Sequence, residues 1–310
     1  MKKLFSIVVI IAIIIMAGVY CTDVYRNTGT PPATKQPVGK TEGEQVREVQ
    51  FDYGPLRNDI DGLLGDSGDE YSIFVLKGDD AGDPLIINNK VRRSASMIKV
   101  FIMAYLMDEV SHAKLNLNST LTLKASDKVG GAGIISGWST GTEISLDTLT
   151  RLMITESDNT ATNMLIDYLG MDNINSYIRQ KGYSDTVLQR KMMDLEAVSA
   201  GRENYTSVKD LGDFFTGLNN HSCVSYEYDQ KMVDILLKQT DTEVFPAALP
   251  QVQIAHKTGE LDHLYDDGGI IYTENGSYIV VVMNDGVARR EAVSKMKRIL
   301  QAANTRLNQT

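Results

Sequence analysis

Cysteine and histidine are scarce in this 310-residue chain, and no stretch of it is strongly basic. The two cysteines, Cys21 and Cys223, stand in an N-terminal apolar stretch and a distant central region, so a structural disulfide is not expected even in an exported chain. The four histidines (His112, His221, His256 and His263) form no H-E-x-x-H or comparable spacing, which leaves no candidate metal ligand and implies no cofactor. A formal net charge of −9 without any Lys/Arg-rich run excludes nucleic acid as a partner. Internal repeats are also absent. What remains is an ordinary globular composition, 43% hydrophobic and 23% charged, enough for one large domain or two layers sharing a site.

The N-terminus is a different material. Lys2 and Lys3 precede LFSIVVIIAIIIMAGVY, residues 4–20, an uncharged run that as a helix would cover about 26 Å of a roughly 30 Å hydrocarbon core. Ala17-Gly18-Val19-Tyr20-Cys21 is a poor small-x-small cleavage site, and Tyr20 before Cys21 spoils a lipoprotein signal, so residues 1–21 are expected to be an uncleaved signal anchor. The alternative is a signal peptide and a secreted product. The positive-inside rule puts the rest of the chain outside the cytoplasm. Residues 22–50, rich in Pro, Gly, Thr and charge, read as a flexible linker.

The folded part, residues 51–310, begins near Phe51. Pro55 to Leu64 reads as a short helix with proline where its missing N–H costs little. Tyr71–Lys77 and Pro84–Asn88 read as a strand hairpin across a turn-rich link. Arg92 to Val110 then carries an almost unbroken apolar helix, Val100 to Met107, apolar all round and therefore buried. Helical patterns follow at Leu146–Thr155, Thr160–Leu169, Met171–Lys181, Val208–Asn219 and Asp229–Lys238. Strands return at Gln253–Thr258, Gly269–Thr273 and Ser277–Asn284, the last two flanking the hairpin signal Asn275-Gly276, before an amphipathic helix over Arg289–Leu307. The fold class is α/β in the α+β sense. One antiparallel sheet built from both termini (51–110 and 250–310) is flanked by the first and last helices, with an all-helical subdomain inserted at 111–249. The cleft between such parts is where a small-molecule site forms.

Three short motifs carry chemistry. Ser96 and Lys99 are three residues apart, so on a helix the amine reaches the hydroxyl. A bare S-x-x-K turns up by chance about once in a chain of this length, and S-D-N or K-T-G in about one such chain in twenty. Here Ser157-Asp158-Asn159 lies between two helices and Lys257-Thr258-Gly259 on the first returning strand, so all three occur in order. Taken singly, S-D-N reads as a helix cap, supplied for instance by Asn159, and K-T-G as an edge lysine followed by a turn glycine. A serine hydroxyl is a poor nucleophile near neutral pH. Lysine serves as its base only if the pKa falls from about 10.4, which burial and a like charge from Lys257 would achieve. Gly130-Gly131-Ala132-Gly133 and Trp138 read either as a cleft wall or as a surface loop.

In these three motifs, and in the run Leu149 to Leu165 around the second, the chain from Phe51 onward resembles the class A β-lactamase and penicillin-binding acyl-serine family. The resemblance implies that Ser96 attacks an amide carbonyl, with Lys99 as proton acceptor. It implies that Ser157 passes the proton toward the leaving nitrogen and that Asn159 binds the substrate's side-chain amide. Lys257 and Thr258 would hold the substrate carboxylate, and the backbone N–H groups of Ser96 and Glu260 would form an oxyanion hole worth about 3 kcal/mol per donor. Gly259 would let substrate approach the strand closely. The implied partner is a small-molecule β-lactam or D-alanyl peptide, taken by a monomer.

One family feature is missing. A glutamate after S-D-N activates the water that releases the acyl group in class A enzymes. The L-x-R start at Leu188 and the glycine at Gly201 place Met192 at that point, and methionine cannot activate water. Asp194 and Glu196 are the nearby carboxylates that could substitute, and Arg190 lacks an aspartate partner near Tyr205. Three readings follow: a β-lactamase-like hydrolase with slow deacylation, a D-alanyl-D-alanine carboxypeptidase-like cell-wall peptidase, and a non-turnover β-lactam binder or sensor.

Overall fold

A computed structural model describes residues 51–78 and 82–308. The expected anchor and linker lie outside the described residues. The chain divides into two units, 1–47 and 48–310, and every described element belongs to the second.

The elements follow in chain order. Helix α1 (Gly54–Leu64) leads to strands β1 (Tyr71–Lys77), β2 (Leu85–Ile87) and β3 (Arg92–Arg93). A 3₁₀ turn, Ala95–Ile98, enters α2 (Lys99–Ser111), followed by β4 (Thr120–Thr122) and β5 (Glu143–Ser145). Helices α3 (Leu146–Thr155), α4 (Asn159–Leu169), α5 (Met171–Gln180) and α6 (Leu195–Ser199) precede β6 (Tyr205–Thr206). Then come α7 (Val208–Asn219), α8 (Tyr226–Leu236), α9 (Phe245–Ala248), β7 (Gln253–Leu261), β8 (Leu264–Thr273), β9 (Gly276–Asn284) and α10 (Arg289–Leu307).

The expected sheet forms from the two ends of this unit, five antiparallel strands in the order β2-β1-β9-β8-β7. Strand β1 is buried along nearly its whole length because both of its faces are covered. On one face Ile73, Val75, Val280 and Val282 pack with α1 and α10, whereas on the other Phe74, Val281 and Met283 join a larger core that includes α2, α3, α4 and α7. The sequence assigned α7 to the helical insert, but it packs on the sheet. Gly212 makes this possible, since a Cβ there would sit 2.4 Å from the Phe74 ring. The insert also holds short β-pairs that the helical reading passed over: β4 with β5, and β6 with β3.

Helix α2 runs through the middle of the larger core, with Val100–Ala104, Leu106 and Met107 fully buried, as its all-round apolar sequence predicts; Tyr105 and the last turn from Asp108 to Ser111 are partly exposed. A rigid axis of this kind fixes whatever stands at its N-terminal end. Strand β7 is held as tightly. Gly269 on β8 faces His256, and a Cβ there would lie 2.1 Å from the Ala255 carbonyl oxygen. Gly269→Ala is therefore expected to destabilise the fold by about 1–3 kcal/mol through overpacking, read as a lowered urea midpoint with unchanged slope.

Candidate active site

Ser96 stands in the 3₁₀ turn rather than on the α-helix, and Lys99 is the first residue of α2. The correction leaves the pairing intact, because residues i and i+3 eclipse in a 3₁₀ turn: Lys99 Nζ lies 3.0 Å from Ser96 Oγ. Ala95, just before the serine, has φ 42, a left-handed conformation that costs an alanine about 1–3 kcal/mol and is retained where surrounding packing dictates it. That packing comes from β7. Gly259 is not a turn residue but lies inside a strand reaching Leu261, and a Cβ there would meet Ala95 Cβ and Met97 Cγ at 3.2 Å each. Its small size seats the Ser96 turn against the strand, a role distinct from the substrate approach expected of it.

The S-D-N segment is a tight reversal between α3 and α4. Ser157 has φ 51, and the cap of α4 is Asp158, not Asn159: its Oδ1 accepts from the Ala161 N–H at 2.8 Å. The other oxygen accepts from the N–H groups of Ile134 (2.6 Å) and Ile135 (2.8 Å), pinning the preceding loop. Only glycine fits at position 133, where φ is 109 and a Cβ would lie 2.3 Å from that carboxylate. The loop is thus a built wall, with Ala132 facing the Ser96 pocket. Trp138 packs on the larger core instead.

With Asp158 occupied, Asn159 turns inward. Its Oδ1 accepts from Lys99 Nζ at 3.0 Å, and its Nδ2 donates to the Gly130 carbonyl at 3.1 Å. Lys99 Nζ also donates to the Ser157 carbonyl at 2.6 Å and lies 3.1 Å from Ser157 Oγ. Lys257 Nζ approaches the same hydroxyl at 3.1 Å and donates to the Thr258 carbonyl at 2.8 Å. Ser157 Oγ therefore sits between two fully buried amines.

Burial is the main cause that drives Lys99 well below the ordinary lysine range, with the nearby charge of Lys257 acting the same way and Asp158 opposing. Burial also lowers Lys257, to about 8, against the opposing pull of Asp241 and Asp267. A neutral Lys99 has two hydrogens, which the Ser157 carbonyl and the Asn159 amide oxygen accept. The lone pair is left for a hydroxyl proton, and Ser96 is positioned to give one.

Ser96, Ser157, Thr258 and Glu260 line one pocket of about 210 Å³, joined by Ala132, Glu156, Gln239, Thr240 and Asp241. Asp194 and Glu196 do not line it. Asp194 caps α6 by accepting from the Ala197 N–H at 2.9 Å, and Glu196 is exposed. Met192 does not line the pocket either; it is buried and held at both ends by Asn163, whose Oδ1 accepts from the Met192 N–H at 2.8 Å while its Nδ2 donates to the Met192 carbonyl at 3.0 Å. Arg190 does have a partner, Glu203, at 2.7 Å with both side chains about nine-tenths buried. Among the described residues no cluster of His, Cys, Asp and Glu could hold a metal ion, and Cys223 is a free buried thiol.

Sequence reasoning named Asp158 within its motif without giving it a role, and missed Asn163, Glu203, Glu156 and Asp241. Asn163 is legible in retrospect as the residue one turn after Asn159 on α4. Asp241 carries no local signal, since only the tertiary fold brings it beside Lys257.

A family model described as "Beta-lactamase enzyme family" matches residues 55–307. The β-lactamase CARB-3 of Pseudomonas aeruginosa is 32% identical over 141 residues, 45% of this chain and 48% of that protein, so the chain spans about half the length of this curated relative in the matched region. The crystal structure of a β-lactamase from Sphaerobacter thermophilus superposes with a TM-score of 0.75 at 26% identity, covering 83% of this chain and 98% of that one. A mutant of PBP-A solved as an acyl-enzyme complex with penicillin G gives 0.73 at 25% identity, over 81% and 95% of the two chains.

The two lysines set the pH response of Ser96. Its acylation by an uncharged activated ester should rise with pH through a midpoint well below the ordinary lysine range, as Lys99 loses its proton. With an acyl donor that carries a carboxylate, the rate should fall again above about pH 8, where Lys257 loses the charge that attracts it. Lys257→Arg, whose guanidinium stays protonated, should remove the alkaline fall; stopped-flow acylation rates across pH check both limbs.

Proposed function

The chain belongs to the β-lactamase enzyme family, and on that footing we propose that it opens β-lactam-type amides through an acyl-enzyme at Ser96 and releases the product slowly. Ser96 Oγ attacks the carbonyl as its proton passes to Lys99 Nζ. The N–H groups of Ser96 and Glu260 receive the developing oxyanion, and Ser157 delivers its hydroxyl proton to the departing nitrogen while taking back from Lys99 the proton that came from Ser96, so that the amide bond breaks as the ester forms. Lys257 and Thr258 hold the substrate carboxylate, and Asn159, anchored by Lys99 and Gly130, presents its amide to the acyl side chain. The observation that carries this reading is the 3.0 Å approach of Lys99 Nζ to Ser96 Oγ, with both hydrogens of a neutral amine already taken by acceptors.

Slow release is supported by Met192. It stands where the resemblance asks for a water-activating glutamate, Asn163 fixes its backbone, and neither Asp194 nor Glu196 lines the Ser96 pocket. The same observation favours a second reading, a D-alanyl-D-alanine carboxypeptidase-like enzyme whose relatives deacylate without that glutamate; a non-turnover binder is the limit of vanishing release. We place the catalytic unit outside the cytoplasm, as a monomer tethered by residues 4–20, on the support of the basic start and apolar run in the sequence.

A chromogenic cephalosporin should give a burst of one equivalent of colour and a persistent mass adduct on Ser96, and Ser96→Ala should give neither. Sustained turnover with no adduct would overturn slow release, and colour from Ser96→Ala would overturn the nucleophile. Release of D-alanine from a pentapeptide mimic selects the second reading. Met192→Glu, which supplies a general base, should speed decay of the adduct by about a hundredfold; decay unchanged by the substitution would locate the block elsewhere.

A further inference from the structure

The pocket that holds Ser96 is acidic. Three carboxylates, Glu156, Asp241 and Glu260, face it, while no lysine or arginine is among its lining residues; Lys257 is fully buried beneath. Glu260 is ion-paired with Arg289 at 3.3 Å, whose guanidinium also donates to both oxygens of Glu243, so the wall's charge rests on Glu156 and Asp241. Glu156 adjoins Ser157 in sequence and accepts from the Thr240 hydroxyl at 3.2 Å, which ties it to the segment that carries Asp241. Asp241 in turn lies close enough to Lys257 to offset part of the effect of its burial. Glu156 and Asp241 therefore flank the side of the pocket where Ser157 and Lys257 receive the leaving group. That the pocket takes a ligand is set independently by Ser96 and its buried amine.

An anionic leaving group is poorly served by this wall, because the charge of Lys257 is partly offset by Asp241 before substrate arrives. A leaving group that carries a positive charge beside its carboxylate places each charge against an opposite one. Resting on the acyl-enzyme reading of Ser96, we propose that Glu156 and Asp241 are specificity-determining residues, and that the pocket selects substrates whose leaving portion is zwitterionic, with a cationic group next to the carboxylate. At separations of about 6 Å in a water-rich cleft, each carboxylate favours the cation about threefold, and the pair about tenfold.

Two cephalosporins identical except at the C3 methylene, one bearing a pyridinium and the other an acetoxy group, isolate this effect. The second-order rate of Ser96 acylation is read by intact-protein mass on full-length protein in detergent. The pyridinium-to-acetoxy rate ratio should be about tenfold higher in the native protein than in the Glu156→Gln/Asp241→Asn double variant. In the native protein alone, raising salt from about 0.01 M to about 1 M, where the Debye length drops from about 30 Å to about 3 Å, should bring the ratio down toward the variant's value. The salt series decides the matter even if the double variant fails to fold. A ratio indifferent to salt, or equal in native protein and variant, overturns the selectivity while leaving the acyl-enzyme intact. Failure of both probes to acylate Ser96 overturns the acyl-enzyme reading itself, and the selectivity with it.

Discussion

A lysine amine buried without a carboxylate partner is the constraint on which this structure turns. Lys99 meets a carbonyl, an amide oxygen and two hydroxyls, and its strongest electrostatic neighbour is a second buried lysine. Taking an ammonium out of water costs several kcal/mol even after the surroundings relax. Burial pushes Lys99 well below the ordinary lysine range, toward the neutral state that a general base requires. The two lysines differ in environment: Lys99, facing Ser96, is driven well below the ordinary lysine range, and Lys257, on β7, is lowered to about 8.

Holding that geometry demands support from several directions. Gly259 and the left-handed Ala95 seat the Ser96 turn against β7, and Gly133 lets the Asp158 carboxylate close on the neighbouring loop. Asp158 serves two structures at once, capping α4 and fixing the wall opposite Ser96. The loop after α5 is clamped at Met192 by Asn163 and at Arg190 by Glu203. Rigid placement of this kind suits the attack step, where a small misplacement of the reacting atoms costs rate. The same two clamps fix the course of the loop that carries Met192.

The acidic wall adds a constraint on what the site receives. Glu156 is local to the S-D-N reversal, while Asp241 comes from the segment between α8 and α9, and their shared relation to Ser157 and Lys257 exists only in the folded cleft.

By itself the sequence determined the elements and the order of the chemistry. Helices α3, α7 and α10 begin and end where their periodicity predicts, the Asn275-Gly276 turn joins β8 to β9, and the three motifs name the residues that meet around Ser96. These are local properties: apolar period, turn chemistry and residue type. Tertiary structure decided the rest. The packing of α7 on the sheet depends on a glycine meeting a distant phenylalanine, the Arg190 partner proved to be Glu203, and Gly259 turned out to seat the Ser96 turn rather than turn the chain. Asp194 and Glu196, close to Met192 in sequence, point their chemistry into a helix cap and solvent. Each of these depends on a contact between residues far apart in the chain or on a side chain's direction, and neither quantity is written in a local pattern.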